Sequence, residues 1–159
     1  MRPGALTREA FVARFGPVYE ASPWVAEAVW PAPDEPEALA GAMRRAVDNA
    51  PREEKLALIR AHPQLAVSGP MAEASVREQS GAGLDQCSAE ELAAFQRLNA
   101  AYLDRFGFPF VIAVKGLSRA DILAAFAERL ENQAEAEFAT AMDQIHRIAG
   151  FRIAALLKG

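Results

Sequence analysis

Three polar residues of this chain, His62, Glu78 and Arg152, carry groups suited to acid–base or anion-binding chemistry, each in an unusual setting. His62 opens the run H-P-Q-L-A, where Pro63 forces the preceding residue out of the α region and so ends a helix at the histidine. An imidazole near a helix C-terminus tends to hold its proton more firmly, and histidine titrates near working pH in any case. That suits general acid or base work; a histidine capping the last carbonyls is the plainer reading. Glu78 lies in S-V-R-E-Q-S-G-A-G-L-D, on a helical face with Met71, Ala74 and Ser75. A carboxylate beside such small residues can sit at the rim of a cleft, although most glutamates are simply solvated. Arg152 falls among Ile145, Ile148, Ala149 and Leu156 at helical spacing, a guanidinium inside an apolar stripe. It can snorkel, cap the final carbonyls, or reach a pocket where its planar fork binds a carboxylate or ureide. The second histidine, His146, stands between Ile145 and Arg147, where a solvated position is expected.

A fourth feature is main-chain rather than side-chain. Residues Phe106 to Gly116 read F-G-F-P-F-V-I-A-V-K-G, unlike any other stretch. Gly107 and Pro109 break a helical pattern, one by backbone entropy and the other by lacking an N–H. The β-branched run that follows favours an extended backbone. Such a segment inside a helical domain leaves N–H and C=O groups without helical partners. They can meet a ligand, or they can be capped by neighbouring side chains in a buried connector.

The elements that must position these groups are helices. Thr7 to Phe15 reads as a short opening helix, and Ser22-Pro23 as an N-cap with proline at the first position, leading into Trp24 to Trp30. Pro36 and Pro51 open helices to about Asn49 and Ala61. A turn around Ser68-Gly69-Pro70 precedes a helix from Met71 to about Ser80. Ser88 with Glu91 forms a capping box for a long helix to Phe106. After the extended segment, Ser118 caps a helix bearing Ile122, Leu123, Phe126 and Leu130. Asn132 with Glu135 suggests a break, and the last helix carries Phe138, Met142, Ile145, Ala149, Ile153 and Leu156. The expected fold is therefore all-α, a single-domain multi-helix bundle over residues 1–159 with one short extended segment near 107–115.

Composition narrows the function classes. A 159-residue chain with 52% hydrophobic and 24% charged residues is globular, not disordered. Net charge is −4 with the basic residues scattered, so no stripe suits nucleic acid. Cys87 is alone, which excludes an intramolecular disulfide, and no Cys/His cluster suggests a metal. No signal-peptide core, membrane-length apolar window or Ser-Lys-Leu terminus is visible, so a cytoplasmic protein without a membrane partner is expected.

In order along the chain, A-H-P-Q-L-A, S-V-R-E-Q-S-G-A-G-L-D, F-G-F-P-F-V-I-A-V-K-G and E-F-A-T-A-M-D-Q-I-H-R-I-A-G-F-R-I resemble the 2-oxo-4-hydroxy-4-carboxy-5-ureidoimidazoline (OHCU) decarboxylase family of urate degradation. The resemblance covers nearly the whole chain. It implies an all-α, cofactor-free enzyme, generally a homodimer, acting on the small molecule OHCU. It also implies roles: His62 catalytic, Pro63 beside the substrate, and Glu78 a binding carboxylate flanked by Ser75 and Gln79. Backbone groups of Phe110, Val111, Ile112, Ala113 and Val114 would contact the ligand, and Arg152 would clamp it, with Arg147 as the other register. The chain departs from many relatives in a short spacer between Leu65 and Ser75, which affects the expected shape of one pocket wall.

Two other classes remain open on sequence: a silent helical interaction module on the same scaffold, and a lyase for a related ureide. A silent module has no need of His62, Glu78, Arg152 and the extended segment together. Nothing in the residues alone separates OHCU from a related ureide.

Overall fold

The computed structural model describes residues 2–67 and 71–158; the turn expected at Ser68-Gly69-Pro70 lies outside them. Eight α-helices occur among the described residues: α1 Arg8–Phe15, α2 Trp24–Val29, α3 Pro36–Asp48, α4 Arg52–Ala61, α5 Glu73–Gly81, α6 Ala89–Phe106, α7 Arg119–Leu130 and α8 Ala134–Lys158. No strand occurs among these residues, so the chain is all-α. Two short 3₁₀ turns, Pro3–Ala5 and Gly16–Val18, add to what periodicity indicates.

Capping chemistry explains several of the boundaries. The Thr7 hydroxyl accepts from the Ala10 N–H at 3.2 Å and starts α1. Ser88 and Glu91 form the expected reciprocal box at α6, and Ser118 and Asp121 form another at α7. Gly107, at φ 77°, closes α6 in the left-handed conformation that glycine adopts without strain. Ser22 does not cap: Pro23 occupies the N-cap of α2, and the Ser22 hydroxyl donates to the Glu20 carbonyl at 2.8 Å. Met71 lies ahead of α5, so the face expected to begin there begins with Ala74 and Ser75.

The chain forms two compact units. The first joins Met1–Ala61 to Ile145–Gly159, and the second is His62–Gln144. In the first, α2 packs on α1 and α3. Leu39, Met43 and Val47 form the buried stripe of α3 at helical spacing. Phe11 and Phe15 stack with centroids 4.9 Å apart, and Ile145, Ile148, Ala149 and Ile153 of α8 are buried as well. In the second, α6 packs on α7, and its buried face is Phe95, Asn99 and Tyr102. An asparagine in that row is the first sign of a structural task.

Candidate active site

His62 directly follows the last residue of α4 and is 7% exposed. The segment after it is fastened peptide by peptide. Gln79 of α5 accepts from the Ala66 N–H at 3.0 Å and donates its amide to the Gln64 carbonyl at 3.1 Å. Asn99 of α6 donates to the Leu65 carbonyl at 3.0 Å. Three consecutive residues of H-P-Q-L-A are thus held by two buried amides. The fixing has a purpose, because Ala66 sits at φ 56°, a conformation costly for a residue with a Cβ unless its surroundings impose it.

The same bonds bring two motifs together. Gln79 is the glutamine of E-Q, so the E-Q helix is tied to the peptide that carries His62 and Pro63. Ser75 is buried one turn before Gln79, and Glu78 is half-buried beside it. Both ends of the Gln79 amide serve the H-P-Q-L-A segment, each with one further lone pair or hydrogen to offer. Asn99 escapes sequence reasoning, although a polar residue between Phe95 and Tyr102 at helical spacing is a readable signal.

Residues 109–114 are neither helix nor strand, and Phe110, Val111, Ala113 and Val114 are all buried. A polar network supports them. The Arg129 guanidinium donates to the Val111 carbonyl at 2.7 Å and lies 4.4 Å from the centroid of the Phe110 ring. On its other face Phe110 stacks on Phe126, centroids 3.9 Å apart and planes within 7°. Arg129 also pairs with Glu137, whose side chain is wholly buried, at 2.6 Å. Glu137 accepts further bonds from the Tyr102 hydroxyl and the Asn132 amide. Burial, reinforced by the Glu137 carboxylate, pushes the Tyr102 phenol up, so it remains a donor throughout the working pH range. Finally, Gln144 accepts from the Ala113 N–H at 2.9 Å.

The reading of the segment as a connector capped by neighbouring side chains holds in part. Side chains cap Val111 O and Ala113 N, and Val114 O accepts from Leu117 N at 3.0 Å. Among the described residues no protein partner meets the N–H or C=O of Ile112. Sequence reasoning misses Arg129 and Glu137, which occupy buried positions where Leu130 and Phe138 are expected to carry the apolar faces. Leu130 and Phe138 are half-buried instead.

Arg152 belongs to the other unit. It is 7% exposed, and its Nη1 reaches Glu20 at 2.9 Å and the Pro17 carbonyl at 3.1 Å. The guanidinium thus neither snorkels nor limits itself to its own helix end: it finds a buried carboxylate within the chain. Arg147 is exposed. His146 is not solvated as expected. It is buried, with its Nδ1 2.8 Å from the Tyr19 hydroxyl and its Nε2 3.0 Å from Asp48. The reason is local: 146 is flanked on the helix surface by Ile145, Ala149 and Ile153, and both ring nitrogens find partners.

A family model described as OHCU decarboxylase matches residues 4–154. The chain is 46% identical over 154 residues to a 2-oxo-4-hydroxy-4-carboxy-5-ureidoimidazoline decarboxylase of Haloferax volcanii, covering 94% of this chain and 90% of that one. It is 43% identical over 145 residues to a uric acid degradation bifunctional protein of Bacillus subtilis, covering 89% of this chain and 29% of that protein. Among solved structures, an (S)-allantoin synthase superposes with a TM-score of 0.80 at 30% identity, over 97% of this chain and 52% of that one. The last two are much longer than the part this chain spans.

Proposed function

The chain belongs to the OHCU decarboxylase family, and from that premise we propose that it decarboxylates 2-oxo-4-hydroxy-4-carboxy-5-ureidoimidazoline to (S)-allantoin in urate degradation, without a cofactor. One observation carries the reading: through Gln79 the E-Q helix grips the peptide that opens with His62-Pro63, so the two motifs are built as one piece.

The chemistry suits these residues. The substrate's C4 bears hydroxyl and carboxylate next to a C5=N bond. When the C4–carboxylate bond breaks and CO₂ leaves, the electron pair forms C4=C5 and the C5=N electrons move onto nitrogen, which takes a proton. The conjugation is the electron sink, so no pyridoxal or thiamine is needed. Ketonisation then moves a proton from the C4 hydroxyl to C5, consuming one solvent proton overall. His62 takes the hydroxyl proton and returns one to a single face of C5. Glu78 holds ureido or ring N–H groups, aided by Ser75, Gln79 and Pro63, and backbone groups of Phe110–Val114 contact the ring. Arg152 acts on acceptor oxygens of the substrate, a role that rests on the resemblance alone.

Both units serve this one activity, a reading supported by the family model's span from residue 4 to 154. A cytoplasmic homodimer completes the proposal. No described helix is long and apolar enough to cross a membrane, and Val76, Leu92 and Leu103 are large exposed apolar side chains on α5 and α6. Light scattering of the purified chain tests the dimer. Freshly generated OHCU, followed by circular dichroism, tests the reaction: we expect catalysed formation of (S)-allantoin, whereas decay at the buffer rate would retire the proposal.

A further inference from the structure

Within Phe110–Val114, side chains fasten the main chain on both sides of Ile112. Arg129 holds the Val111 carbonyl and covers the Phe110 ring, and Gln144 holds the Ala113 N–H. Between them Ile112 presents an N–H and a C=O that no described protein group meets. Ile112 is half-buried between buried neighbours, a place where main-chain groups usually find a partner. From this pattern we infer that Arg129 and Gln144 are positioning residues for the reaction, holding the Ile112 peptide as the donor and acceptor that read the substrate. The inference rests on the decarboxylase reading proposed above.

Each fastening is built for rigidity. Arg129 spends its planar fork on two targets at once, Glu137 and Val111 O, which a lysine ammonium could not match in geometry. Glu137 in turn is fixed by Tyr102 and Asn132, so the guanidinium has one orientation. The aromatic pair Phe110–Phe126 and the cation above it stop the segment from rolling about its own axis. Gln144 acts on the next residue but one and supplies only an acceptor. With 111 and 113 both fixed, the plane and direction of the Ile112 groups follow.

Gln144 gives the sharper test, because it carries no buried charge. Gln144→Leu removes the acceptor, and Gln144→Glu keeps one. We expect Gln144→Leu to raise KM for OHCU about three- to tenfold, the range for one lost neutral hydrogen bond, with kcat and thermal midpoint near wild type. Gln144→Glu should restore most of KM. Arg129→Met alone would strand the Glu137 charge and unfold the unit, so Arg129→Met is combined with Glu137→Gln; the same rise in KM is expected from the folded double variant. A folded Gln144→Leu with wild-type KM, or one that loses thermal stability while KM stays unchanged, would overturn the inference. If wild type itself shows no turnover, the decarboxylase reading falls separately. The backbone amide resonance of Ile112, titrated with (S)-allantoin, then decides: a shift in wild type that Gln144→Leu abolishes supports positioning, and no shift in wild type overturns it.

Discussion

His62 precedes a segment held by two buried amides. Gln79 and Asn99 hold Gln64, Leu65 and Ala66, so the frame beside His62 has fastenings of its own. His62→Asn should therefore fold normally and lose about 10²–10⁴-fold in turnover, the usual range for general acid–base catalysis. Steady-state rates on OHCU check this, and wild-type-like turnover would remove His62 from the mechanism. Arg152 is different, because its partner Glu20 is itself buried. Arg152→Ala should destabilise the fold by about 3–5 kcal/mol by breaking a buried ion pair, and Glu20→Gln in the same chain should recover much of that. Denaturant unfolding of the two variants decides it; equal stabilities would mean the pair contributes little. The types and neighbourhoods of His62, Glu78 and Arg152 were legible in the sequence. What Arg152 binds was not, because a guanidinium in an apolar stripe signals an ionic partner without naming it, and Glu20 is 132 residues away in the chain.

At the scale of elements, short-range chemistry was the readable part. The boxes at Ser88 and Ser118 and the stop at Gly107 depend on residues within one turn, so they survive any tertiary context. Ser22 failed as a cap because the Glu20 carbonyl competes for its hydroxyl and Pro23 takes the N-cap position. The support for the extended segment was illegible for another reason: Arg129 and Glu137 occupy core positions on α7 and α8 that a hydrophobicity pattern assigns to leucine or phenylalanine. The α6 cap also makes a pH prediction. The Ser88 N–H, with Arg119 beside it, holds the Glu91 carboxyl below its ordinary value of 4.5. A depressed carboxylate binds its proton less readily folded than unfolded, so its contribution is complete above the ordinary value. It fades as pH falls through the folded value. Thermal melts between pH 6 and pH 3 should therefore fall more steeply for wild type than for Glu91→Gln. Parallel curves would show that the box is already open in solution.

At the scale of the whole molecule, a helical count was readable but the division into two units was not, since no proline-rich or polar linker marks it. Residues 62–144 form an uninterrupted unit, while the other is assembled from both ends of the chain. Some of its long-range polar ties stay within residues 2–61, such as Arg2 to Asp34, but those of Tyr19 to His146, Glu20 to Arg152 and Arg14 to the Leu156 carbonyl run to residues 145–158. A chain stopped after Gln144 should therefore lose amide-exchange protection around Phe11–Tyr19, detectable by mass spectrometry; retained protection there would show those ties to be dispensable. The discontinuity also orders events on the ribosome. Residues 2–61 emerge before residues 62–144 yet cannot complete their unit until residues 145–158 have followed, whereas residues 62–144 have every partner named here by the time Gln144 is made. During translation, of the two units, the one begun earlier is the later to acquire its native partners, and its aromatic side chains wait longer for burial.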